Sequence, residues 1–163
     1  MKRLILMRHA KSDWSGGPAN DHDRPLNPRG RKAAAALGGW LSSHEIVPDQ
    51  VLSSTSARTT ETLKRLNLPP EIDTQFLRTL YLAPAEVILN ALQEAKGDCV
   101  LMIGHNPGIG MTAEAILESL PAHPKFTAYP SGATLVADFD IADWSQADWG
   151  NANARHFTVP RDL

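Results

Sequence analysis

Two arginines and two histidines in this chain are of the right type to hold an oxyanion, and each stands beside a short apolar or hydroxyl-rich run. Arg8 and His9 come directly after Leu4-Ile5-Leu6-Met7, and Arg58 comes after Ser53-Ser54-Thr55-Ser56-Ala57. His105 stands just beyond Cys99-Val100-Leu101-Met102-Ile103. A guanidinium presents a fixed fork of N–H donors that matches phosphoryl oxygens. Two such forks and two imidazoles, with no carboxylate between them, would make a phosphate pocket. The condition is that three distant stretches meet.

A parallel sheet would bring them together. Four unbroken apolar residues fit a strand buried on both faces, and open α/β sheets place ligands beyond the carboxyl ends of their strands. Strands at Leu4–Met7, Gln50–Leu52 and Cys99–Ile103 each run towards one of the candidates. A helix from about Ala57 puts Arg58 in its first turn, where the macrodipole already supplies about half a positive charge. A cation placed there calls for a nearby anion; the alternative is a side chain that simply reaches into solvent. The N–H groups of the helices that start beside Arg58 and His105 add donors. Ser54 and Asn106 are further candidate substrate contacts.

The remaining elements alternate. Asn27 is a good N-cap and Pro28 suits the first position of a helix whose inner face carries Ala33/Ala34, Leu37 and Trp40/Leu41. Glu71–Tyr81 reads as irregular or a weak strand. A helix from near Pro84, with Val87/Ile88, Ala91/Leu92 and Ala95 inward, is closed by Gly97. Another follows Gly104–Gly110, capped by Asn106 with Pro107 first, and with Ile109, Ala113, Ile116/Leu117 and Leu120 inward. Pro121–Pro130 is a loop, Gly132–Asp140 a strand, Asp143–Ala154 a polar turn region, and Arg155–Pro160 an edge strand. Strand-helix alternation without repeat or linker predicts one α/β domain over residues 1–163 with a mostly parallel sheet.

Composition narrows the classes. The 163 residues carry a net charge of −2, which gives no global field for nucleic acid or anionic lipid, so any anion site is local. The one cysteine, Cys99, sits in an apolar run and reads as a small core residue. The apolar run after Lys2-Arg3 is too short for a signal peptide, and no stretch approaches a membrane span. The expectation is a soluble cytoplasmic protein. Gly104–Gly110 lacks the Gly-Lys-Ser/Thr of a nucleotide loop, and Ser53–Ser56 lacks a nucleophile elbow. Asp21-His22-Asp23 could ligate a metal by composition but reads as a solvated loop within Ser12–Asp23. His44, His123 and His156 default to the surface.

The same residues resemble the histidine phosphatase superfamily. Arg8-His9-Ala10 is similar to its Arg-His-Gly signature, with alanine in third place. Ser54–Thr62 resembles its second arginine motif, and Gly104-His105-Asn106-Pro107 its second histidine motif. Asp23–Gly30, Leu80-Tyr81, Pro130-Ser131-Gly132-Ala133 and the compact length resemble the SixA-type phosphohistidine phosphatases. The resemblance implies a three-layer α/β/α fold of the phosphoglycerate mutase-like kind. It implies a hydrolase in which His9 is the nucleophile, neutral at the attacking nitrogen, while Arg8, Arg58 and His105 (as imidazolium) bind phosphate oxygens. No metal or cofactor is implied. The partner would be a phosphorylated protein, or else a small phosphorylated substrate handled by a phosphomonoesterase or mutase; a non-catalytic phosphate-binding module is the third reading. Asp21 and Asp23 are the only candidates for the leaving-group acid such esterases use. The 46 residues between Arg58 and His105 leave little room for a lid, though the loop Ser12–Asp23 could border the site.

Overall fold

The computed structural model describes residues 1–17 and 20–163; Pro18 and Ala19, within the loop expected over Ser12–Asp23, lie outside the described residues. Along the chain come β1 (Lys2–Arg8), α1 (Pro28–Ser43), β2 (Gln50–Ser54), α2 (Ala57–Leu66), β3 (Asp73–Leu77), α3 (Ala85–Gln93), β4 (Cys99–Gly104), α4 (Gly108–Ile116), β5 (Thr134–Phe139) and β6 (Ala152–Thr158).

The apolar pattern of β1 decides the architecture. Successive side chains of a strand point to opposite faces, so Leu4 and Leu6 enter one core and Ile5 and Met7 the other, all fully buried. Leu37 and Leu41 of α1 and Leu66 of α2 cover the Ile5/Met7 face. Ile88 and Leu92 of α3 with Ile109 and Ala113 of α4 cover the other. The sheet order is β3-β2-β4-β1-β5-β6, with β1 to β4 mutually parallel and β5 antiparallel to both its neighbours, β1 and β6. This is the expected three-layer α/β/α fold with a mostly parallel sheet.

Register brings the candidates level. Arg8 pairs with Gly104 across β1 and β4, and Ser53 with Ile103 across β2 and β4. The three carboxyl ends therefore finish side by side. Local signals set where the next helices begin: Asn27 Oδ1 accepts from the Gly30 N–H at 2.8 Å, and Ser56 Oγ accepts from the Thr59 N–H at 3.2 Å.

Several expectations need correction. Leu120 is half exposed because α4 stops at Ile116, where Leu117 turns extended, and Pro107 is the residue before α4 rather than its first. Gly97 does not close α3, which ends at Gln93 with Glu94 as its cap; a Cβ on Gly97 would stand 2.2 Å from Asp49 Oδ1, so close approach explains that glycine. The Asp143–Ala154 stretch is not merely polar, because Trp144 is fully buried and its indole N–H donates to Gly97 O at 2.6 Å. Glu71–Tyr81, read as irregular or a weak strand, needs none: it contains β3, a largely exposed edge strand. Cys99 is only half-buried at the start of β4, with burial pushing its thiol up to about 11.

Gly38 lets α1 and α2 touch. A Cβ there would lie 2.1 Å from the Leu66 carbonyl oxygen, a backbone atom that cannot rotate away. Gly38→Ala is expected to lose about 2 kcal/mol or more in a denaturant titration despite alanine's better helix propensity, because overpacking outweighs it. An unchanged midpoint would contradict this contact.

Candidate active site

The nucleophile candidate is anchored through its backbone. The His9 N–H donates to Gly104 O at 3.1 Å, and His9 O accepts from the Gly132 N–H at 2.9 Å. The next amide, Ala10 N–H, donates to Thr62 Oγ1 at 3.0 Å. The His9 ring stands 2.7 Å from the Ala10 carbonyl through Nδ1. A carbonyl only accepts, so Nδ1 carries the proton and Nε2 keeps its lone pair.

Around it, three buried side-chain nitrogens have no hydrogen-bond partner among the described residues: Arg8 Nε, Arg58 Nε and His105 Nδ1. All three residues line one pocket of about 370 Å³ together with His9. A buried unsatisfied donor costs about 1–3 kcal/mol, and the three residues that carry these atoms line a single cavity, which marks it as the candidate place for an acceptor-rich ligand. The rest of each side chain is fixed. Arg8 Nη1 donates to Tyr129 O at 3.2 Å, while Arg58 Nη1 and Nη2 reach Asp21 O and Oδ2, each at 2.9 Å.

Ser54, expected as a substrate contact, is fully buried and its Oγ lies 2.8 Å from His105 Nε2. The same Oγ accepts from the Ser56 N–H at 3.3 Å. Its own proton is then free for Nε2, which leaves the imidazole proton on Nδ1, the unpartnered atom. Ser54 thus positions His105 rather than touching the pocket. Asn106 lines the pocket, but its amide donates to Tyr129 O (2.9 Å) and Ala128 O (3.3 Å), and its Oδ1 accepts from the Gly110 N–H at 3.1 Å. Its side chain braces the loop and α4.

Asp21 was not expected between the cations, yet it is the anion that the misplaced charge of Arg58 called for. Its carboxylate accepts from Tyr81 OH at 2.5 Å, from Arg24 Nη2 at 2.9 Å and from Arg58. The Tyr81 hydrogen bond first, then the two guanidiniums, holds it far below the usual carboxylate range. Asp21 is therefore ionised and clamped, a poor proton donor. Asp23 is exposed and turned to Asn20. His22 Nε2 lies 2.8 Å from Thr55 Oγ1 and its Nδ1 3.7 Å from Asp23 Oδ1, and no group of three or more His, Cys, Asp or Glu gathers to hold a metal among the described residues. Tyr81 is a site residue with no signal beyond the family resemblance; its ring edge packs on His105 at 5.3 Å. His44 is exposed, whereas His156 and His123 are half-buried, the latter bound to Asp162 at 2.8 Å. Among the described residues no helix is long and apolar enough to cross a membrane.

Burial, assisted by the neighbouring cations, lowers both His9 and His105 to about 3, so the unliganded site holds two neutral rings and His105 is not the imidazolium expected. Above the ordinary histidine value of about 6.5 both rings are neutral folded or unfolded, and stability is unaffected. Below it the unfolded chain binds protons that the folded rings refuse until about pH 3. At pH 5 this costs about 2 kcal/mol per ring. Denaturant titrations without phosphate are expected to show a loss of about 4 kcal/mol between pH 7.5 and 5, largely removed in the double variant His9→Gln/His105→Gln. Equal pH dependence in the two proteins would contradict the neutral rings.

Comparison with known proteins places this geometry. The model of the histidine phosphatase superfamily (branch 1) matches residues 4–80. The uncharacterized protein Rv1276c of Mycobacterium tuberculosis is 32% identical over 164 residues, covering 95% of this chain and 100% of that protein. Phosphoserine phosphatase 1 of Hydrogenobacter thermophilus is 31% identical over 74% of this chain and 48% of its own length. A solved structure from Nakamurella multipartitia, designated a phosphohistidine phosphatase SixA, superposes with a TM-score of 0.85 at 28% identity, covering 98% of this chain and 96% of that one. The chain belongs to branch 1 of the histidine phosphatase superfamily, on its SixA side.

Proposed function

We propose that this chain is a metal-independent phosphatase that removes phosphate from phosphohistidine on a protein through a covalent intermediate on His9. The observation that carries the choice of substrate is the state of Asp21, which is the only carboxylate lining the pocket among the described residues and is held ionised. An alkoxide leaves poorly without a proton donor. An imidazole is far less basic, and exchanging one P–N bond for another is nearly balanced.

In this reading the His9 Nε2 lone pair attacks phosphorus while the bond to the substrate imidazole breaks, and that ring takes a proton from water. Water then attacks the phospho-His9, releasing inorganic phosphate and restoring the lone pair. Nδ1–H stays on Ala10 O throughout. Arg8, Arg58 and His105 offer their unpartnered N–H groups to the oxygens as charge shifts, which is preorganised electrostatic stabilisation. The two guanidiniums supply the positive charge a metal would supply, and the neutral His105 ring adds a donor. The mouth is flanked by Trp14 and Leu82, both well exposed, which suits a side chain presented by another protein. The SixA likeness supports the same substrate, whereas the Hydrogenobacter relative favours a second reading, a small phosphomonoester.

A rapid-quench panel decides between them, using labelled phosphohistidine peptide, phosphoserine and 3-phosphoglycerate with and without chelator. The expected result is acid-labile label on His9, insensitivity to chelator, and phosphohistidine preferred by about 100-fold or more, which corresponds to roughly 2.7 kcal/mol of transition-state discrimination. Preference for phosphoserine would install the second reading. Absence of label at His9 would remove the covalent mechanism, and binding without phosphate release would leave a phosphate-binding module.

A further inference from the structure

Beside the catalytic pocket lies a second, larger groove of about 950 Å³, and Lys11 and Ser131 line both. One wall is the outer face of α1, where Arg29, Lys32, Ala33 and Ala36 follow the three-four spacing of a helix face. The opposite wall is the His123–Ser131 loop with the C-terminal turn Pro160–Asp162. Five cations line it: Lys11, Arg29, Lys32, Lys125 and Arg161. None is in an ion pair among the described residues. The one carboxylate on its lining, Asp162, is already taken by His123 at 2.8 Å.

Five unpaired cations on one groove of a chain whose net charge is −2 concentrate positive potential where the overall charge gives none. Between the charges the lining is apolar and small, contributed by Ala33, Ala36, Pro130 and Val159. A lining of small side chains leaves room for a polypeptide. It offers no free aromatic platform on which bases could stack, the feature that single-stranded nucleic acid sites rely on, since the ring of His123 is packed on Phe157.

We infer that this groove docks an acidic segment of the phosphoprotein, carrying it past Lys11 so that its phosphohistidine enters the pocket over His9. The inference rests on the proposed activity for the phosphohistidine and on the groove itself for the acidic segment. Docking of this kind lowers KM for the protein and leaves the chemistry of a small substrate alone.

The test uses the triple variant Lys32→Glu/Lys125→Glu/Arg161→Glu, which reverses exposed charges on both walls and touches no residue of the catalytic pocket. Two phosphohistidine peptides, one flanked by glutamates and one by serines, are compared with phosphoramidate as a small substrate. Wild type is expected to favour the acidic peptide in kcat/KM by about tenfold at low salt, an advantage that shrinks as salt rises. In the variant that advantage disappears, while phosphoramidate turnover stays within about twofold, as rim charges act on encounter rather than chemistry. Equal preference for both peptides in wild type overturns the inference, as does an equal loss on phosphoramidate. Fluorescence anisotropy of the unphosphorylated acidic peptide separates docking from catalysis. If no phosphohistidine peptide is hydrolysed but this peptide binds wild type and not the variant, the proposed activity fails and the groove stands. Tighter, variant-sensitive binding of a single-stranded RNA of equal charge would make the partner a nucleic acid and overturn the inference.

Discussion

His9→Ala is expected to abolish turnover, by more than about 10⁴-fold, while leaving phosphate binding within a few-fold of wild type. The two effects separate because the ring and the backbone of this residue do different things. The hydrogen bonds that hold position 9, to Gly104 and from Gly132, belong to the main chain and survive the substitution. The unpartnered nitrogens of Arg8, Arg58 and His105, the proposed oxyanion donors, also remain. Single-turnover kinetics and isothermal titration with inorganic phosphate measure the two quantities. Residual turnover near wild type would remove His9 as nucleophile, and loss of both functions together would show a collapsed pocket.

Arg58→Met should cost about 10²–10³ in rate, the usual price of one transition-state donor, without costing stability. Arg58 is nearly fully buried close to Arg8, whose own pKa is lowered by burial and by Arg58. Removing one of two like charges relieves that repulsion. The partner left behind, Asp21, is 41% exposed, so water replaces the ion pair at little cost. In phosphate-free buffer the variant is expected to unfold at the same denaturant concentration or higher. Phosphate at about 100 times its Kd should stabilise wild type by about 2.7 kcal/mol and the variant hardly at all. Arg58→Lys separates charge from shape, because an ammonium cannot reproduce the fork. A marked drop in stability for Arg58→Met would mean that the pair with Asp21 holds the fold.

Much of the fold and the gathering of the candidate site residues were legible because both rest on local patterns. The apolar run Leu4–Met7, the caps Asn27 and Ser56, and strand-helix alternation each follow from short-range physics, and the resemblance carried the four site positions. What was not legible depends on contacts between distant residues. Asp21 looked like part of a solvated loop, and only folding brings it 37 positions along the chain to Arg58. Trp144 lies in a polar segment, so its fully buried place in the core could not be read from its neighbours. Ser54 sits among hydroxyls that all looked alike, and its role emerges from the 2.8 Å contact with His105. Gly97 carried a C-terminal signal, but the side chain of Asp49 on another segment is what requires it.

The anchoring of His9 on the central strand also governs how the site fails. Many functional sites sit on segments that open locally well before the molecule unfolds. Here the imidazole proposed as nucleophile follows directly on β1, a strand flanked by β4 and β5 and buried on both faces. Its amide should therefore be among the slowest in the chain to exchange with solvent hydrogen, in step with Leu6 and Met102. Activity and tertiary structure are then expected to disappear at the same denaturant concentration, so that for this chain residual turnover reports the folded fraction itself.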